Sequence, residues 1–187
     1  MTRIAVVYFT KTDITGSLAE SVATGINSVE GAESASIKIN SRDIVHGRYY
    51  NEEVLSLVTA CNAIIFGSPT YMGGVSAQFK AFIDATGDLW GRQAWAGKIA
   101  AGFTCGSAVN GDQGVTLQYL ATLAGQHGML WVGLDVIQSP SINRLGCQLG
   151  VTAHAPDGAA HSADLRAARY LGARVAREAS RLQIFHQ

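Results

Sequence analysis

AIIFGSPTYMGGVSAQFKAFID, residues 63–84, joins three kinds of segment without a break. Ala63 to Phe66 is wholly apolar, as in a strand buried on both faces. Val75, Phe79, Phe82 and Ile83 then recur at helical spacing, marking one apolar stripe. Between them lie Gly67, Gly73, Gly74, Pro69 and Tyr71. A strand-to-helix turn needs only two or three such residues, so this loop is longer than connection alone requires. Glycines let a backbone approach a flat ligand or take positive φ, and a tyrosine offers a ring to stack on. A plain tight turn with a surface tyrosine is the competing reading.

The same unit recurs along the chain. Arg3 to Phe9 is a second, nearly all apolar strand, followed by a helix with Leu18, Val22 and Ile26 inward. Ser34 to Ile39 alternates, as an outer strand with one wetter face does. Asn51 to Ala60 has the stripe Val54, Leu55 and Val58. Lys98 to Thr104 is a strand of small residues, and Val115 to Gln126 a helix carrying Leu117, Leu120 and Leu123. Trp131 to Ile137 reads as a fifth strand, and Asp164 to Leu182 as a closing helix. Five alternations of strand and helix predict a parallel sheet with right-handed crossovers and helices on both faces. Gln138 to Ser162 fits neither type and is too long for a connector.

At 187 residues the chain can bury one sizeable core, and residues 1–187 are expected to form one domain. Charged residues are 15% of the chain, against about 25% in average proteins, which predicts that some surface is covered, most simply in an oligomer. Net charge is zero with no basic cluster, so nucleic acid is not an expected partner. Cys61, Cys105 and Cys147 are odd in number and far apart, which argues against a disulfide framework, zinc or an iron–sulfur cluster. No metal is expected from His46, His154, His161 or His186 either, which share no ligand spacing. Neither a run of eighteen apolar residues nor a signal-peptide pattern is present, so no membrane span and a cytoplasmic location are expected.

In open parallel sheets, ligands sit outside the carboxyl ends of the strands. Three loops lie there. TKTDITG (10–16) sets Thr10, Thr12 and Thr15 next to a helix N-terminus, whose free N–H groups attract an anion. The competing reading is a helix start, since Ser17-Leu18-Ala19-Glu20 is a capping box. Asp13 weighs against a phosphate unless its carboxylate points away. The absence of G-x-x-x-x-G-K-[ST] excludes an ATP-binding P-loop. TCGSAVNGDQG (104–114) is again richer in glycine than a connector needs.

The T-x-T-x-x-T spacing after the first strand resembles the phosphate loop of flavodoxins. GSPTYMGGVSAQFKAFIDATGDLW (67–90) is similar to the corresponding segment of the WrbA-like NAD(P)H:quinone oxidoreductases, with GKI at 97–99 and HGM at 127–129 following in order. NRLGCQLG (143–150) resembles the broader NAD(P)H-dependent FMN reductases. Asp13 and Ile14 depart from the flavodoxin loop, and Tyr71-Met72 replaces the Arg-Phe of the quinone reductases.

The resemblance implies a flavodoxin-like three-layer α/β/α sandwich with a five-stranded parallel sheet in order 2-1-3-4-5. It implies FMN, NAD(P)H as co-substrate, and a quinone, flavin or similar small acceptor reduced by a ping-pong mechanism. Thr10, Lys11, Thr12, Asp13, Ile14 and Thr15 would hold the phosphate. Pro69, Thr70, Tyr71, Met72 and Gly73 would line one side of the ring, and Thr104, Cys105, Gly106, Ser107, Asn110 and Gly111 the other. His127 would donate to a quinone oxygen, although its place before Gly128 also reads as a helix stop. Together with the low share of charged residues, the resemblance implies a homodimer or homotetramer. Trp90 would join a subunit contact over the flavin, or else the core. An electron carrier without small-molecule turnover, and a relative that has lost its flavin, are the alternatives.

Overall fold

A computed structural model describes residues 1–109 and 111–184. The elements follow in the order β1 (Thr2–Tyr8), α1 (Ile14–Asn27), β2 (Ala32–Lys38), β3 (Ile44–Val45), β4 (Arg48–Tyr49) and α2 (Glu52–Ala60). Then come β5 (Ala63–Tyr71), β6 (Gly74–Val75), α3 (Ala77–Asp84), α4 (Gly87–Gly91) and β7 (Ile99–Gly106). The chain closes with α5 (Gln113–Gln126), β8 (Leu130–Trp131), β9 (Val151–His154) and α6 (Ser162–Ile184).

The main sheet runs β2-β1-β5-β7-β8 with all these pairs parallel. Counted by position, that is the expected order 2-1-3-4-5. Strand alternation sends Ile4, Val6, Ala63, Ile65, Ile99, Ala101 and Phe103 to the layer of α1 and α6. Ala5, Val7, Ile64, Phe66 and Ala100 face the layer containing α2, α3 and α5. The three layers follow from this: both faces of each central strand are apolar, so both must be covered.

The strand count differs from expectation. The sheet has seven strands, because β6 adds antiparallel to β5 and the fifth position is split into two pieces. Trp131 to Ile137 does not stay in the sheet. Its start pairs with Ile99 and Ala100 as β8; the chain then leaves and returns as β9, parallel to Phe103–Gly106. The cause is at Gly133, where an added Cβ would lie 2.2 Å from the Gln148 carbonyl oxygen. Leu134 N–H donates to that same oxygen at 2.8 Å, so this apolar run pairs with its own return leg.

The untyped stretch is thus a folded excursion. Arg144 holds it down with two 2.7 Å bonds to Asp164 in the first turn of α6, and Asp164 is buried. Farther along α6, α1 and α6 pack backbone against backbone. A Cβ on Gly25 would sit 1.9 Å from the Arg169 carbonyl oxygen, and one on Gly172 2.1 Å from that of Val22.

Candidate functional site

Because β1, β5 and β7 run parallel, the loops that follow them emerge at one edge of the sheet. The first loop turns into α1 at Asp13, which has left-handed backbone (φ 61°) and makes no side-chain cap. Ile14, Thr15 and Gly16 are therefore the first helical residues, and their N–H groups have no partner within the helix. Ser17, expected to open a capping box, instead sits inside the first turn and donates its hydroxyl to the Asp13 carbonyl at 3.0 Å. Thr10 is buried, and its Oγ1 has no hydrogen-bond partner. Lys11 and Thr12 are exposed. Thr15 is buried, with Oγ1 3.3 Å from Cys105 Sγ.

The Asp13 carboxylate is 87% exposed and lies 4.0 Å from Lys38 Nζ at the end of β2, while its Oδ1 is also 3.8 Å from where a Cβ on Gly16 would sit. The left-handed φ also explains why glycine suits this position, and why aspartate, which tolerates αL, can replace it.

The second loop is a hairpin. Thr70 and Tyr71 pair with Val75 and Gly74, and the two turn residues Met72 (φ 48°) and Gly73 (φ 75°) are both left-handed. Two positive φ values are the signature of a tight hairpin turn. Met72 is fully exposed and Tyr71 is 42% exposed, so both stand at the rim. Pro69 is buried beneath them. Ser68 Oγ accepts from Ser76 N–H at 2.9 Å, tying the hairpin's base together.

The third loop begins on buried Thr104 and Cys105. Burial pushes the Cys105 thiol up from its ordinary pKa, against a smaller lowering from Thr15. This is a packed thiol rather than a poised nucleophile. Gly106 faces the Gln113 side chain so closely that a Cβ would lie 2.6 Å from its Nε2. Ser107 is exposed, and Asn110 lies outside the described residues.

Three positioning side chains carry no sequence signal of their own. Thr116 Oγ1 bonds Thr70 Oγ1 at 2.9 Å, and Thr70 Oγ1 also bonds Thr104 Oγ1 at 2.8 Å. This node joins the second loop to the third, and it occupies the hydroxyls of Thr70 and Thr104. Gln113 accepts from Gly111 N–H at 3.0 Å and donates to the Ala108 carbonyl at 2.9 Å, clamping the third loop. Buried Ser76 caps α3.

His127 is not brought to these loops. It ends α5, whose other end meets the third loop, about 20 Å away at 1.5 Å per residue. It is buried, stacked on Trp95 at 4.4 Å between ring centroids, with Nε2 3.0 Å from Thr86 Oγ1. Thr86 donates its proton to the Ile83 carbonyl, so His127 donates through Nε2–H and its Nδ1 lone pair is left without a partner. Burial lowers its pKa. Within the chain it braces the segment around α4, and Gly128 beyond it is left-handed (φ 67°), as at a helix stop. Trp95 is fully buried in the core, whereas Trp90, expected at a subunit contact or in the core, is 49% exposed.

The site is a row of hydroxyls, backbone N–H groups and small residues beside one exposed aromatic. That donor set fits a phosphate followed by a flat ring, and it offers no acid–base pair. Residues 15–141 match the family described as NADPH-dependent FMN reductase. The flavodoxin FldP of Pseudomonas aeruginosa is 35% identical over 95% of this chain and 96% of its own length. The NAD(P)H dehydrogenase (quinone) of Archaeoglobus fulgidus is 34% identical over 97% of this chain and 100% of its own. The flavodoxin, WrbA-like protein from Agrobacterium tumefaciens superposes with a TM-score of 0.78 at 36% identity, covering 97% of this chain and 99% of that one.

Proposed function

From the premise that this chain belongs to the NADPH-dependent FMN reductase family, we propose an FMN-dependent oxidoreductase that oxidises NAD(P)H and reduces a quinone or similar small acceptor. The observation that carries this reading is the buried, unpartnered Thr10 hydroxyl beside the uncapped N-terminus of α1. A buried polar atom without a partner costs free energy, and an anion's oxygen would satisfy it together with the free N–H groups.

Thr10, Thr12, Thr15 and the backbone of residues 11–16 would hold the flavin's phosphate. Pro69 to Gly73 and Thr104 to Gly111 would flank its ring, with Tyr71 and Met72 at the open rim. When bound, FMN supplies a two-electron centre that accepts hydride and passes the electrons on. The protein's share is to bind, orient and shield. Its hydroxyls and amides hold the phosphate, and the three-threonine node fixes the spacing of the two flanking loops. NAD(P)H and the acceptor would use one open face in turn.

We further infer a single domain acting as a homodimer or homotetramer in the cytoplasm. Low charge and exposed Trp90 support assembly. Three free cysteines suit a reducing compartment. Among the described residues, no helix is long and apolar enough to cross a membrane.

The test is whether purified protein is yellow, releases FMN on denaturation and gives parallel double-reciprocal lines with NAD(P)H and a quinone. Colourless protein that takes up no added FMN would end this reading. The relative named a flavodoxin favours a second one, an electron carrier. NAD(P)H oxidation by quinone with no protein partner present separates the two.

A further inference from the structure

Thr10 also borders a cleft that none of the preceding roles uses. It lies between the carboxyl ends of β1 and β2, measures about 560 Å³, and is lined by Phe9, Thr10, Lys38, Ile39, Asn40, Ser41 and Arg42. That is ample for a nucleotide fragment. Its lining holds two cations and no acid, in a chain where charge is scarce.

The two cations are free to meet a ligand. The acid next to Arg42 in sequence, Asp43, turns away: its Oδ2 accepts from Asn51 Nδ2 at 2.9 Å, and it helps push the Tyr49 phenol up to about 12, after the larger effect of burial. The Arg42 guanidinium has no carboxylate partner among the described residues. Among the described residues, Lys38 has only the solvent-exposed Asp13 as an ionic partner, at 4.0 Å. The turn that presents Arg42 is fixed, since Asn40 Oδ1 accepts from the Arg42 N–H at 3.0 Å.

The cleft is also level with the ring-flanking loops. Lys38 is in register with Tyr8, Tyr8 with Gly67, and Gly67 with Phe103. Lys38 is therefore two strand spacings, about 10 Å, from the start of the second loop. An extended dinucleotide with its nicotinamide over that loop spans such a distance.

Resting on the proposed NAD(P)H chemistry, we propose that this cleft binds the 2′-phosphate of NADPH through Lys38 and Arg42. The chain thereby selects NADPH over NADH. The 2′-phosphate is a compact dianion, and two cations lining one cleft, Lys38 at the end of β2 and Arg42 on a fixed turn, would recognise it by charge-assisted hydrogen bonds. NADH would leave both cations to water.

The test compares 2′,5′-ADP with 5′-ADP by calorimetric titration of the holoprotein, and repeats it on the double variant Lys38→Gln, Arg42→Gln. Wild-type protein should bind 2′,5′-ADP about tenfold or more tightly than 5′-ADP, and the variant should bind both alike. The variant's KM for NADPH should rise by a similar factor, with KM for NADH and FMN affinity unchanged. Equal binding of the two nucleotides by wild type, or a preference that survives in the variant, overturns the proposal. A fall in FMN affinity would assign the cleft to the flavin's own phosphate and overturn it equally. If neither nicotinamide cofactor is oxidised, the proposed function fails, while the titration still reads the cleft.

Discussion

A single buried hydroxyl gives the sharpest test of the phosphate site. Thr10→Val keeps the shape of the side chain and removes its only polar atom, so the empty protein should fold as well or better. FMN affinity, followed by fluorescence titration, should fall about tenfold, the value of one charge-assisted hydrogen bond of about 1.5 kcal/mol. Unchanged affinity would detach Thr10 from the phosphate.

His127 makes a different prediction at the same scale. Burial places its folded-state pKa below the ordinary value of 6.5. The unfolded chain then binds more protons, and stability rises with pH across that interval. The stability is fully present above about 6.5 and is lost as pH falls toward the folded value. Urea midpoints should drop between pH 6.5 and 5, and His127→Gln, which can still donate to Thr86, should flatten that slope. Stopped-flow rates for NAD(P)H oxidation and acceptor reduction should both survive in this variant. A loss confined to the acceptor step would return His127 to the acceptor, as the family resemblance suggested.

Among the elements, the second and third loops meet through Thr70, Thr104 and Thr116. Thr116→Val should cost roughly 1 kcal/mol of stability and weaken FMN binding, shifting the flavin absorption band; Thr116→Ser should restore both. An unshifted band with equal loss of stability would make the node structural only. Gly172→Ala should cost about 1–3 kcal/mol, read from denaturant midpoints, since its Cβ would meet the Val22 backbone.

These contacts mark where sequence reasoning stops. The central strands are legible because both their faces are apolar, and the three loops because they exceed what a turn requires. Thr116 and Gly172 are legible to no local pattern, since their meaning lies in partners 46 and 150 residues away (Thr70 and Val22). Trp131 to Ile137 misled for the same reason. Its composition is that of a strand, but from Gly133 its backbone partner is the excursion's return leg rather than β7.

For the whole molecule, assembly is the open property with a direct measurement. Light scattering at micromolar concentration should report a dimer or tetramer, and Trp90→Ala should shift it toward monomer. A wild-type monomer would remove any site that draws on two chains. The α1–α6 contact bears on something else, the order of events during synthesis. The helix that would present its amides to the phosphate buries Leu18, Val22 and Ile26 in the same cluster as Ala168, Leu171 and Val175. Nearly the whole chain separates the two partners. At 5–20 residues per second, α1 leaves the ribosome roughly 7–30 s before α6 is made. Through that interval only the strands of the sheet cover its apolar face, and its seam with α6 stays open, so the phosphate loop is expected to mature only when translation is nearly over. Cofactor capture is then an event of the finished polypeptide, and a nascent chain halted before Ser162 should bind no flavin.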